Sequence, residues 1–249
     1  MRASVLVVLC FTGLLATLAV SQARSLRSSP TDKVKVEMFV MSRCPDAAYC
    51  EAAFVPALLQ LSPILDLSVD YIAQRGSAVT LANITCMHGE NECEGNRQQL
   101  CSQLLSSARP LSLQYLNFTT CQAASYRDVP NNGAACAQKT GFDADKLQSC
   151  VSSVGQQLLF DSVNYSRSRN QSVSCTLLVE DALWCIRDGS TWKQCSEGTD
   201  GPSLITAVCN RYKGSDTPAV CQQVAAAPSS SNNDVKAAGL RGLFARLKQ

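Results

Sequence analysis

Hydrophobic and polar positions alternate at the start of residues 34–41, and the rest of that segment is wholly apolar. This pattern predicts a strand that enters the middle of a sheet. Helical spacing of apolar positions follows over residues 47–61, where Pro56 predicts a kink. Alternation returns over residues 66–73 and predicts a second strand. Because the two strands flank a single helix, we expect a βαβ unit with parallel strands.

The second half of the chain predicts a hairpin between two helices. Residues 143–159 have helical spacing on one face. Residues 175–179 and 183–186 predict two short strands joined by a turn, and residues 203–212 predict a closing helix. Before them, residues 77–130 form a polar, cysteine-containing section without regular periodicity, which we interpret as an insertion.

Both ends of the chain differ from this central domain. The first 23 residues predict a signal peptide, with a charged start, an apolar run over residues 5–20 and a small-residue cleavage site. A membrane anchor is the alternative. Linker-like composition from residue 225 predicts disorder, although residues 240–247 could form a small basic amphipathic helix. The predicted organisation is a signal peptide at 1–23, a polar leader at 24–33, one domain at 34–222 with its insertion at about 77–130, and a disordered tail at 223–249.

Composition narrows the class of protein. The net charge of +2 argues against a nucleic-acid binder, and after the signal peptide no stretch predicts stable membrane insertion. Fourteen cysteines indicate an oxidising compartment. We therefore expect a secreted or extracellular protein, or alternatively one in the lumen of a lysosome or vacuole. Four N-glycosylation sequons fit that route; their asparagines are Asn83, Asn117, Asn164 and Asn170.

Cys44 is the candidate nucleophile, because it lies at the predicted strand-to-helix junction. The first N–H groups of a helix and its dipole stabilise a thiolate there, and Pro45 suits the first helical position. The usual C-x-x-C pair is absent, since Ala47 stands where its second cysteine would be. Cys50 lies about 240° round the helix from Cys44. We expect Cys44 to be a free, partly exposed thiol.

The other cysteines are candidates for structural disulfides. Removal of Cys10 with the signal peptide leaves 13 cysteines, so a monomer has at least one unpaired. Cys44 is the best candidate for the free thiol; the alternative is that Cys44 is paired, for instance with Cys50. The disulfide candidates are Cys50, Cys86, Cys93, Cys101, Cys121, Cys136, Cys150, Cys175, Cys185, Cys195, Cys209 and Cys221.

A metal site is the alternative for the cysteines around the single histidine, His88. Their spacing fits no zinc pattern, because neither a C-x-x-C pair nor a second histidine supports it. We therefore expect disulfides there, with no bound metal and no cofactor.

Residues 86–101 fit the pattern C-x-H-G-x-x-E-C-x-x-N-x-x-x-x-C, and this segment resembles the signature of the gamma-interferon-inducible lysosomal thiol reductase family. The fixed positions are Cys86, His88, Gly89, Glu92, Cys93, Asn96 and Cys101. The resemblance implies an α/β, thioredoxin-like core with an inserted helical, disulfide-bonded section. It also implies a thiol reductase that acts on disulfide-bonded protein substrates. The family's C-x-x-C pair is incomplete here, and no proline precedes the predicted strand at 175–179.

Two main functions remain open at this point, and the sequence leaves enzyme status uncertain. One is a thiol-disulfide oxidoreductase that works through Cys44 alone and uses a small thiol as reductant. The other is a catalytically inactive binding or interaction protein on the same scaffold. Residues 24–27, Arg-Ser-Leu-Arg, resemble the R-x-L-R element of secreted oomycete effectors, so a secreted effector is a third possibility.

Overall fold

The structure is a computed structural model that describes residues 32–73, 80–107 and 113–226. The predicted signal peptide, most of the polar leader and the predicted basic helix at 240–247 lie outside these ranges.

A five-stranded mixed sheet forms the centre of the domain. Its strand order is β2-β1-β3-β4-β5, and β1 pairs in parallel with β2, whereas the other neighbours are antiparallel. The parallel register joins Val34 to Leu65 and Val40 to Tyr71. The strands are β1 Val34–Val40, β2 Leu65–Tyr71, β3 Thr176–Val179, β4 Ala182–Asp188 and β5 Thr191–Lys193.

Helices lie against both faces of this sheet. On one face, Phe39 of β1 stacks on Tyr165, whose hydroxyl donates to the buried Glu37. On the other, Phe54 makes an edge contact with Trp184 of β4. The described helices are α1 Pro45–Leu61, α2 Glu90–Ser107, α3 Gln114–Ala123, α4 Gly133–Lys139, α5 Ala144–Ser153, α6 Gly155–Ser168, α7 Gly201–Arg211 and α8 Ala219–Ala226.

The first helix, α1, is the central helix of the core. It packs against α3 and α7, and Phe54, Leu58 and Leu61 on it are fully buried. The segment Pro45–Ile64 is long and apolar enough to cross a membrane, and half of it is buried within the fold. The helix continues through Pro56 to Leu61.

Six disulfides hold the described part of the chain. Cys101–Cys150 and Cys121–Cys136 lie within the helical section, and Cys86–Cys93 closes the loop before α2. Cys50–Cys175 joins α1 to the start of β3. Cys185–Cys195 and Cys209–Cys221 hold the C-terminal part.

The structure confirms the predicted fold class, including the parallel pairing of the first two strands and the later hairpin. The helix predicted at 143–159 is wrong, because this segment forms two helices, α5 and α6, and α6 continues to Ser168. Helices α4 to α6 also lie between β2 and β3, after the predicted end of the insertion at about residue 130. In addition, α8 crosses the predicted domain end at residue 222.

Candidate active site

Cys44 is the N-cap residue of α1, immediately after β1. Its backbone is extended, with φ −79° and ψ 126°, and its carbonyl accepts the first helical hydrogen bond from Ala48 at 3.1 Å. No side chain within the described residues caps this helix start. An N-cap side chain normally accepts from the first free N–H groups. The Cys44 sulfur is therefore attached at the position from which a thiolate can accept these bonds.

Cys44 is the free cysteine of the described residues, and only 8% of it is exposed. The expectation of a partly exposed thiol is therefore wrong. Ser174 lies directly beside the thiol. The Cys44 sulfur is 3.8 Å from the Ser174 carbonyl oxygen, and the Ser174 hydroxyl accepts from the Met41 N–H at 3.0 Å. The segment before β3 thus covers the thiol, with a cis peptide bond between Ser174 and Cys175.

The position of a second active-site cysteine is taken by Ala47, which is 2% exposed. Cys50 is one turn further along α1 and forms a disulfide with Cys175, next to Ser174 in the chain. The alternative in which Cys44 pairs with Cys50 is therefore not the arrangement in this structure. The two elements that form the thiol's surroundings, α1 and the start of β3, are covalently joined.

An ion pair balances the carboxylate beside the thiol. Asp46, in the first turn of α1, lies 3.3 Å from Nε of Arg187 and accepts from the Ser190 N–H at 3.0 Å. The Arg187 guanidinium also stacks 3.7 Å from the ring centroid of Tyr49 and 5.1 Å from that of Trp192. A carboxylate this close would oppose a thiolate at Cys44, and the pairing of Asp46 with Arg187 offsets that repulsion. The other nearby cation, the Arg43 side chain next to Cys44 in the sequence, donates a hydrogen bond to the carbonyl of Val129.

The residues of the signature form one connected group around the start of α2. Cys86 and Cys93 are joined by a disulfide, and His88 Nδ1 contacts the fully buried Glu92 carboxyl group. Gly89 has φ +81°, a conformation that favours glycine. Asn96 is fully buried and accepts from a backbone N–H of the turn before Cys44, and Cys101 is paired with Cys150. The cysteines considered for zinc are thus all in disulfides.

A second carboxyl group lies inside the protein on α1. Glu51 is buried, and its Oε2 atom has no hydrogen-bond partner among the residues that the structure describes. Burial raises the pKa of Glu51 to about 8, against the lowering effect of a hydrogen bond with Thr119. The Glu51 carboxyl group is therefore neutral at acidic pH. On an ideal helix, Glu51 lies about 20° round the axis from Cys44 and about 10 Å along it.

The family model for gamma interferon inducible lysosomal thiol reductase (GILT) matches residues 35–140, which contain Cys44 and the whole signature. Over these residues the chain matches the GILT family, and two curated relatives agree with that match. GILT-like protein 1 of Drosophila melanogaster is 24% identical over 235 residues, covering 85% of this chain and 88% of that protein. The Anopheles gambiae gamma-interferon-inducible lysosomal thiol reductase-like protein is 31% identical over 145 residues, covering 51% of this chain and 58% of that protein.

Two solved structures share the fold of this chain, and one of them, MdbA, is a thiol-disulfide oxidoreductase. MdbA from Actinomyces oris has a TM-score of 0.52 at 11% identity, covering 74% of this chain and 84% of its own. BdbD from Bacillus subtilis has a TM-score of 0.51 at 13% identity, covering 75% and 91%. These identities support the fold alone. The family supports a thiol reductase-like function for this chain.

The sequence predicted Cys44 and the signature, but it did not predict their neighbours in the fold. Ser174 and Arg187 carry no motif, and only the fold brings them to α1. Asn96 was visible as a fixed signature position, but its contact with the turn before Cys44 was not. Of the sequon asparagines, Asn83, Asn117 and Asn170 are exposed and Asn164 is half-buried.

Proposed function

We propose that this protein reduces disulfides of protein substrates through the single nucleophile Cys44, with a small thiol as reductant. The observation that carries the proposal is the position of Cys44: a free thiol at the uncapped start of α1, in a chain that matches the GILT family over residues 35–140. A helix start favours the thiolate, which is the form that attacks disulfides.

The reaction proceeds by two kinds of thiol-disulfide exchange. The Cys44 thiolate attacks one substrate sulfur, so that a Cys44–substrate disulfide forms and the other substrate sulfur leaves as a thiolate. A small-thiol thiolate then attacks the Cys44 sulfur and releases the second substrate thiol. A second small thiol regenerates Cys44 and leaves as the oxidised small-thiol disulfide.

The second step limits turnover. Ala47 offers no sulfur to attack the mixed disulfide, and the nearby Cys50 is held in its disulfide with Cys175. The small thiol must also reach a sulfur whose residue is only 8% exposed. We therefore expect weak activity that depends on added thiol, with mixed disulfides that accumulate on Cys44.

The test is reduction of an oxidised model peptide by the mature protein with reduced glutathione. We expect the parent to exceed the glutathione background, and Cys44→Ser and iodoacetamide-blocked parent to fall to that background. Mass spectrometry after acid quenching should find the peptide attached to Cys44 in the parent alone. Equal reduction by folded Cys44→Ser would defeat the proposal.

Burial of Cys44 and the alanine at position 47 favour a second candidate, a catalytically inactive binding or interaction protein on the same fold. A secreted effector would be one form of it. Such a protein would bind its partner equally well as parent and as Cys44→Ser, without any covalent adduct in either.

A secretory route completes the proposal. Twelve of the thirteen described cysteines are paired in disulfides, which supports an oxidising compartment. We propose cleavage of residues 1–23, glycosylation at the four sequons and delivery outside the cell or to a lysosome-like lumen. Edman sequencing tests the cleavage and glycosidase treatment tests the glycosylation. Comparing the amount of protein in the medium with that in the lysosomal fraction of its source cells tests the delivery.

A further inference from the structure

The turn between β1 and α1 is held at consecutive residues by three separate segments of the chain. The Met41 N–H donates to the Ser174 hydroxyl at 3.0 Å, and the Arg43 side chain donates to the Val129 carbonyl. Between them, the Ser42 N–H donates to Oδ1 of Asn96 at 2.9 Å. Cys44 follows directly, so these contacts set where its sulfur stands relative to the first N–H groups of α1.

Asn96 reaches this turn because α2 approaches it unusually closely. The Ser42 hydroxyl donates to the carbonyl of Glu92 at 3.1 Å, one helical turn before Asn96. At Gly95, an added Cβ would lie 2.6 Å from the Ser42 hydroxyl oxygen and would also overlap Val129. Only a residue without a side chain fits there, so the backbone of α2 packs directly on the turn.

Asn96 is also fixed on its own side. It is fully buried, and its Nδ2 donates to Sγ of Cys86 at 3.8 Å, within the Cys86–Cys93 disulfide. Because it is buried, it cannot contact a protein substrate. A buried amide with both ends bonded is a rigid link between the loop closed by that disulfide and the turn that carries the thiol.

We propose that Asn96 is a positioning residue for Cys44. It acts through Ser42, by holding the turn so that the Cys44 sulfur lines up with the start of α1. This inference rests on the proposed function of Cys44. Loss of the acceptor oxygen leaves the Ser42 N–H buried and unpaired, and a misplaced nucleophile reacts more slowly even when the fold survives.

The experiment follows the reaction of Cys44 with 5,5′-dithiobis(2-nitrobenzoic acid) in the disulfide-intact mature protein, with Cys44→Ser as blank. One thionitrobenzoate leaves as one mixed disulfide forms on Cys44.

Asn96→Leu removes the acceptor at similar side-chain size, and we expect it to react about tenfold more slowly. Asn96→Asp keeps an acceptor oxygen and should recover part of that rate, since its added charge disfavours a nearby thiolate. Leu100→Ala, on the same helix without a hydrogen bond to the turn, is the matched control for lost stability and should react like the parent.

Hydrogen exchange of the Ser42 amide gives a readout that general destabilisation does not mimic. It should become fast in Asn96→Leu and stay slow in Asn96→Asp and Leu100→Ala. Asn96→Ala removes the same acceptor by truncating the side chain. It is used in place of Asn96→Leu if that variant does not fold. A folded acceptor-free variant that reacts as fast as the parent overturns the positioning role but leaves the proposed function standing. A parent whose Cys44 does not react at all overturns the proposed function instead.

Discussion

At the scale of single residues, position 47 sets how the reaction ends. Ala47 is buried three residues after Cys44, about 60° round the helix and 4.5 Å along it. A sulfur there could attack a mixed disulfide on Cys44. We expect Ala47→Cys to raise glutathione-dependent turnover about tenfold or more and to remove the trapped adducts, because resolution becomes intramolecular.

The matched control for this gain is Ala52→Cys. It adds a thiol at an exposed position about 12 Å along the same helix from Cys44, too far to resolve the mixed disulfide. Turnover and adduct mass are measured on all three proteins. A similar gain in Ala52→Cys would assign the effect to an extra thiol in general, and the argument about position 47 would fail.

At the scale of elements, the disulfides of the helical section should differ in what they contribute. Cys101–Cys150 spans 49 residues between α2 and α5, whereas Cys86–Cys93 spans 7. Since a longer closed loop loses more entropy in the unfolded chain, replacing the long pair by alanines should cost about 4 kcal/mol and the short pair about 2 kcal/mol. Urea unfolding of the two double variants measures both. Equal losses, or a larger loss from the short pair, would contradict this ranking.

A helix or strand could be predicted where the hydrophobic pattern of the sequence marks its first and last residues. The βαβ unit was predictable because alternation, helical spacing and Pro45 mark its boundaries. The division between α5 and α6 was not, since one apolar stripe runs through both. Gly155 begins α6 where an added Cβ would lie 3.3 Å from Cβ of Arg97, so α6 starts in close contact with α2. A long-range contact of this kind leaves no local periodic signal.

The site divides in the same way. Cys44, Pro45 and Ala47 are neighbours in sequence, and their chemistry could be predicted from it. The partners of Cys44 and Asp46, by contrast, are Ser174 and Arg187, more than a hundred residues later. Nor could the pairing of Cys50 with Cys175 be deduced, because cysteine spacing alone does not determine connectivity.

At the scale of the whole molecule, acidic pH should favour the folded state. Burial raises the pKa of Glu51 from 4.5 to about 8, and burial also raises that of Asp70. In the unfolded chain both groups titrate near their ordinary values, so between about pH 4.5 and 8 the folded state binds more protons. Stability is therefore fully present below the unfolded pKa of Glu51 and decreases as the pH rises through the folded value. This profile would suit an acidic lumen.

The pH dependence can be assigned to Glu51 by substitution. Each unit of pKa shift corresponds to about 1.4 kcal/mol, so the parent's melting temperature should fall by several degrees from pH 5 to pH 8. Glu51→Gln removes the ionisation at similar size and should flatten most of that fall, while the weaker contribution of Asp70 persists. Asp66→Asn, which removes an exposed carboxyl group of β2, is the matched control and should keep the parent's slope. Calorimetry at half-unit pH steps makes the comparison. If Glu51→Gln loses as many degrees between pH 5 and 8 as the parent, Glu51 is not the group that links protonation to folding.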